Sequence, residues 1–320
     1  MKKIISISRR TDIPAFYGDW FMNRLKEGFV GLVNPFSGKK YIVPLKPEDV
    51  TCFVFWSKDF SPFIENLKIL DRLGYKFYFN YTVTGLPEVF ENDVNKQSAI
   101  DALKQLGKMY SPRHINWRFD PIILTDTHDR NFYIDAFEKL ASEFAGCVER
   151  CYFSFVNLYN KVIRNFEELE KATGLKISNC SDNFKAELAN DLANIAKSYG
   201  IRMFSCCGDY LVSDNISKAH CIDGDIIESL FFPEGLRHKP KPTRKECGCA
   251  ESTDIGTYDT CPHGCVYCYA NMNKQKACKA FNNHDKDSAF LGYSKSQSDK
   301  WLMEIQYDKD RKDCRQLKIF

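Results

Sequence analysis

The chain has 320 residues, 44% of them apolar, enough to bury a full core near the upper edge of what one domain usually spans. Its 45 basic and 42 acidic residues leave a net charge of +3, too even to indicate a nucleic-acid partner by itself. No apolar run approaches a membrane span, and MKKIISISRR has only a short apolar patch broken by Ser6, so a cytoplasmic protein with no signal peptide and no membrane partner is expected.

From residue 2 to about residue 206, short β-rich runs alternate with helical patterns, as in strand-helix units around a parallel sheet. The predicted strands are 4–8, 51–57, 76–84, 114–119, 150–157 and 201–206. A helix around Phe16, Trp20, Phe21 and Leu25 ends at Gly28, and two β-like runs around a Pro/Ser/Gly turn over 29–45 predict an inserted hairpin. Further helices follow from Phe63, Leu67 and Leu70, from Ile100, Leu103 and Leu106, from Phe132, Phe137 and Leu140, and from Phe184, Leu188, Leu192 and Ile195. Such units suit an open doubly wound sheet or a partial barrel, and no Gly-rich fingerprint follows the first strand to favour a dinucleotide-binding sheet. The fold class expected is α/β, a partial (βα)6 TIM-like barrel over residues 1–236. A cysteine-rich iron-sulfur segment over 237–271 and a polar tail over 272–320, with a short docking helix around Trp301, Leu302 and Ile305, would follow.

In either architecture function sits at the carboxyl ends of the strands. Those ends are hydrophilic here: SRRTD at 8–12, SKD at 57–59, Arg118 with Asp120, and Asn157. Any one of these charges could simply solvate a loop. Together Arg9, Arg10, Lys58 and Arg118 point to an anion pocket, with Asp12 and Asp120 completing the catalytic candidates. The substrate expected is an anionic small molecule or a nucleic acid.

Fourteen cysteines are many for a reducing compartment, where metal binding explains them better than disulfides. Eight of them, Cys206, Cys207, Cys221, Cys247, Cys249, Cys261, Cys265 and Cys268, fall within 63 residues of chain. The last three form CPHGCVYC, a CxxxCxxC spacing unlike paired zinc knuckles. Three thiolates at that spacing could hold three irons of a 4Fe-4S cube and leave the fourth open to another ligand. Cys206, Cys221, Cys247 and Cys249, with Cys207 as a substitute for Cys206, form a possible second set; the plain alternative for Cys206 and Cys221 is that of buried core thiols.

Cys261, Cys265 and Cys268, with Tyr267 before the last, resemble the cluster motif of radical S-adenosylmethionine enzymes, although that motif normally follows the first barrel strand. The resemblance implies one 4Fe-4S cluster, or two, with S-adenosylmethionine as cosubstrate and an electron donor such as flavodoxin or ferredoxin. His263, Tyr267 and Tyr269 would contact the cluster or the cosubstrate. A wider resemblance rests on ISISRRTDIPAFYGDWFMNRL, NPFSGK, FVFWSKD, WRFDPIILTD, SFVNLYNKV, HCIDG and CGCAESTDIGTYDTCPHGCVYCYAN. These are similar to the bacterial family of unknown function numbered 1848, noted for a C-terminal cysteine cluster like the radical enzymes' N-terminal one. A radical-type iron-sulfur enzyme is the leading expectation. An electron-transfer protein, or a nucleic-acid repair lyase using the basic stretch RHKPKPTRK, are the alternatives.

Overall fold

The computed structural model describes residues 2–91 and 95–316, with side chains through residue 308. In chain order the elements are β1 (Lys3–Ile7), α1 (Ile13–Phe16), α2 (Gly18–Glu27), β2 (Phe29–Val33), β3 (Lys40–Pro44), β4 (Val50–Ser57), α3 (Ile64–Arg72) and β5 (Phe77–Thr82). There follow α4 (Lys96–Met109), β6 (Ile115–Ile122), α5 (Arg130–Phe144), β7 (Arg150–Phe155), α6 (Asn160–Thr173), α7 (Asp182–Ser198) and β8 (Arg202–Ser205). The chain ends with β9 (Ile216–Lys218), α8 (Gly224–Phe231), β10 (Thr253–Asp254), α9 (Lys274–Asn282) and α10 (Lys295–Gln316).

The fold is α/β, built on an eight-stranded sheet in the order β10-β1-β4-β5-β6-β7-β8-β9 with every pairing parallel. The six strands expected from the sequence overlap β1, β4, β5, β6, β7 and β8, with ends that differ by up to three residues. The two extra strands, β9 and β10, are three and two residues long, too short to show alternation in a sequence. Among the described residues the edge strands β10 and β9 do not pair with each other, and no closed barrel forms.

From β1 to β9 the strand order follows the chain without reversal, so right-handed crossovers place successive helices on one face. Alternation along the strands divides the core accordingly. Ile5, Ile7, Phe53, Phe55, Phe77, Phe79, Trp117 and Phe153 pack with the helices. Ile4, Cys52, Val54, Tyr78 and Tyr152 face the other way, into a smaller cluster with α8 and Cys206, Cys221 and Cys249.

The stretch expected to be a polar tail with one short helix carries two helices, and between them Ser288, Ala289, Phe290 and Leu291 are buried. Gly31 on β2 has no Cβ because the Phe290 ring occupies the space, 2.4 Å from where one would lie. The Gly31 N–H donates to Ala289 O at 2.9 Å, and Trp20 Nε1 donates to Ser288 O at 2.8 Å. Three apolar residues in a polar stretch were too short a signal for periodicity. Phe290→Ala should cost about 3–5 kcal/mol, read as a lower urea midpoint at unchanged slope. A loss below about 1 kcal/mol would mean that this segment does not pack as described.

Candidate active site at the carboxyl ends of the strands

One cavity of about 670 Å³ opens at the carboxyl ends of β1, β4, β6, β7 and β8. Every residue singled out from the sequence lines it: Arg9, Arg10, Asp12, Lys58, Arg118 and Asp120, then His263, Tyr267 and Tyr269, then Cys206, Cys221, Cys247, Cys249, Cys261, Cys265 and Cys268. A parallel sheet makes this possible, because all strand ends of one polarity meet on one side.

Strand β10 brings the cysteine-rich segment there. It pairs with β1, Ile5 opposite Thr253 and Ser6 opposite Asp254. The Asp254 carboxylate accepts from Ser6 Oγ at 2.9 Å, Ser8 Oγ at 2.6 Å, the Arg9 N–H at 2.8 Å and the Gly256 N–H at 3.0 Å. Beyond it, Tyr17 Oη donates to Thr260 O at 2.6 Å, and Tyr269 Oη to Arg9 O at 2.6 Å. Cys261, Cys265 and Cys268 are thereby set beside the loop that leaves β1. Asp259, two residues before Cys261, holds a left-handed φ of 56°, a strained conformation for a side chain without special need of it.

Asp12 is the polar centre of this corner. Its carboxylate accepts from Ser57 Oγ at 2.6 Å, the Lys58 N–H at 2.8 Å, the Ala15 N–H at 3.1 Å and His263 Nε2 at 2.8 Å. Donation to a carboxylate fixes the proton on Nε2. His263 Nδ1 is then a buried nitrogen without a hydrogen-bond partner among the described residues. His263 is 4% exposed, edge-on to Phe16, and lines the cavity.

The cations expected to form an anion pocket are mostly matched by carboxylates. Arg9 Nε lies 3.6 Å from Asp254, Lys58 Nζ 2.9 Å from Glu91, and Arg118 pairs with Asp120, which also accepts from Ser154. Among the described residues, Arg10, Lys161 and Arg244 line the cavity without a carboxylate partner. Arg10 lies over the Tyr258 ring, 4.8 Å from its centroid. Burial disfavours a charge on Glu91, but Lys58 outweighs it, with hydrogen bonds from Tyr267 and Thr84, and holds the carboxyl below its ordinary value. Burial likewise opposes the charge on Lys58, which Glu91, with help from Cys265, more than restores. Burial pushes the Cys265 thiol up to about 12, with Lys58 pulling against it.

Across the cavity, Cys206 follows β8, Cys221 follows β9, and Cys247 and Cys249 precede β10. Cys206 Sγ and Cys221 Sγ are 3.2 Å apart. Cys207, weighed from the sequence only as a substitute for Cys206, joins the same group. Among the described residues no three His, Cys, Asp or Glu side chains converge on the position of a single ion. That geometry is what one zinc requires; a cube differs, because its thiolates bind separate irons. Sequence reasoning missed Glu91, Asp254 and Lys161, and took Arg244 only as part of the basic stretch RHKPKPTRK. A cation at a strand end was the usable signal for a buried partner, but nothing in the chain says which carboxylate supplies it.

The Lys58 and Glu91 pair gives a test with a sign. Glu91 titrates low in the fold, so its contribution is present above about pH 4.3 and is lost as pH falls through the folded value. Lys58→Met leaves that carboxylate buried and unpaired, which should cost about 3–5 kcal/mol at pH 7. Its carboxyl should then titrate high, so metal-free Lys58→Met should gain stability from pH 7 to pH 5 where the parent protein does not, as read by urea unfolding at both pH values.

No described helix is long and apolar enough to cross a membrane. No curated protein matches the chain. The sequence profile of the domain of unknown function DUF1848 matches residues 4–270, a span that takes in β1 through β10 and all three cysteines of the CxxxCxxC motif, and the chain belongs to that family.

Proposed function

We propose that this protein is an iron-sulfur enzyme of radical type, with a 4Fe-4S cluster held by Cys261, Cys265 and Cys268 and with S-adenosylmethionine at the open iron. The observation that carries this reading is the place of the motif. In radical enzymes the cysteines follow the first strand of the barrel; here they come late in the chain but follow β10, the first strand of the sheet in space. The singly wound order from there to β9 is one that a partial barrel would share, which supports the reading. The motif is displaced in sequence and regular in space.

The donor set fits the group. Three thiols line the cavity wall, and soft thiolates are the ligands that iron-sulfur clusters take. Burial pushes the Cys261 and Cys268 thiols up, and backbone N–H groups pull against it, that of Ala270 at 3.3 Å from Cys268 Sγ among them. Such bonds favour thiolate over thiol. Lys58 does the same for Cys265 by charge.

When bound, the cluster would supply one-electron reductive cleavage of S-adenosylmethionine. The remaining work falls to the chain. The Asp12 and His263 pair fixes the motif loop against the end of β4 and leaves Nδ1 free to accept or donate a hydrogen bond in the cavity wall. Tyr267 is tied to Glu91, which fixes its ring in the wall, whereas Tyr269 is half exposed and presents a face on which an adenine could stack. Arg10 and Lys161 are the cations left over for an anionic substrate. An electron donor such as flavodoxin or ferredoxin would complete the cycle.

Anaerobic protein reconstituted with iron and sulfide, reduced with dithionite and given S-adenosylmethionine should release 5′-deoxyadenosine and methionine in equal amounts. Cys265→Ser should lower the release at least 100-fold. A cluster that reduces and reoxidises without any cleavage would move the protein to the electron-transfer class.

A further inference from the structure

Five cysteines from three separate stretches of chain meet on the β8 and β9 side of the cavity. Their side chains pack as one ring of thiols, with Cys206 Sγ 3.2 Å from Cys221 Sγ and with Cys207 and Cys247 against the buried Cys206, Cys221 and Cys249. An ordinary buried thiol is also present for comparison. Cys151 sits in the apolar core on the other face of the sheet, as a small hydrophobe does.

The ring differs in what it faces. Arg118 Nη1 lies 3.1 Å from Cys221 Sγ, Arg244 Nε 2.9 Å from Cys207 Sγ, and Arg244 Nη2 3.7 Å from Cys206 Sγ. The Ile222 N–H points at Cys249 Sγ at 3.4 Å. A guanidinium aimed at a neutral thiol gains little; aimed at a thiolate it makes a charge-assisted bond in a buried setting. The backbone is bent to the same end. Cys207 has φ of 55° and Glu246, next to Cys247, φ of 64°, left-handed conformations that cost a non-glycine residue on the order of 1 kcal/mol each. Beneath the ring, Tyr78 Oη and Asn80 Nδ2 both donate to Cys221 O, at 2.9 and 3.0 Å.

We infer that this ring holds a second iron-sulfur cluster, ligated by Cys221, Cys247, Cys249 and one sulfur of the adjacent Cys206 and Cys207. Four protein thiolates leave it no open iron, which sets it apart from the Cys261, Cys265 and Cys268 group, with which it shares no ligand. A single zinc would need four sulfurs at about 2.3 Å from one point, and no three side chains among the described residues converge in that way. The two guanidiniums offset the negative charge that four thiolates bring.

The test uses the full chain with Cys261, Cys265 and Cys268 all changed to Ala, reconstituted anaerobically with ferrous iron and sulfide. It should keep about four irons and four sulfides per chain with the Mössbauer signature of a cube, and that cluster should be indifferent to S-adenosylmethionine. Cys247→Ser with Cys249→Ser in the parent chain should remove about half of the iron and spare the other half. A folded triple variant that takes up no iron, or one zinc per chain, overturns the inference. So does a Cys206 to Cys207 disulfide in the anaerobic parent protein. Should the triple variant fail to fold, the parent protein answers by alkylation: Cys221, Cys247 and Cys249 should resist iodoacetamide until iron is chelated, and their ready labelling in the iron-replete protein overturns the inference. Parent protein and triple variant both near four irons would uphold this site and remove the first; a parent near four and a triple variant at zero would do the reverse.

Discussion

The pairing of β10 with β1 is two residues long, and the position of the whole cysteine-rich segment depends on it. Two residues of ladder contribute little by themselves, so the anchor is the Asp254 carboxylate, which gathers two serine hydroxyls and two backbone N–H groups. A carboxylate with four donors is held in one geometry, and charge-assisted bonds of this kind are stronger than neutral ones. Everything downstream inherits that geometry: the contacts of Thr260 and Tyr269 with the first loop, the His263 and Asp12 pair, and the direction from which the three thiols meet the cavity.

A second constraint is electrostatic. The cavity wall contains many ionisable groups at low exposure, and unpaired burial of such charges would be prohibitive. The fold meets this by pairing Lys58 with Glu91, Arg118 with Asp120, and Arg9 with Asp254. The pairs make a wall that is polar and shaped but close to neutral, against which the cations without a carboxylate stand out. Arg118, while keeping its pair with Asp120, and Arg244, which has no carboxylate partner among the described residues, both reach sulfur. This use of cations on thiols separates the two cysteine groups from the buried thiols of the core.

Much of this was legible in the chain. Runs such as FVFW and FYFNY are aromatic and β-branched enough to read as buried strands, and strand-end residues in a parallel sheet have to share one side of the molecule. What could not be read has local causes. Two- and three-residue strands carry no periodicity, so β9 and β10 were invisible. Reading the cations as an anion pocket counted charges without their partners, because Asp254 lies about 245 residues from Arg9 in the chain and only folding brings them together. Cys206 and Cys207 read as alternatives, since neighbours on a strand point to opposite faces. The left-handed turn at Cys207 comes just past the end of β8, where alternation no longer applies, and it returns both sulfurs to one ring.

The most direct test of an open iron at Cys261, Cys265 and Cys268 is the electron paramagnetic resonance spectrum of the anaerobically reduced protein, recorded with and without S-adenosylmethionine. One cluster signal should change its g values on addition of the cosubstrate while any second signal stays fixed. A spectrum in which every cluster signal ignores the cosubstrate would contradict a radical-type site.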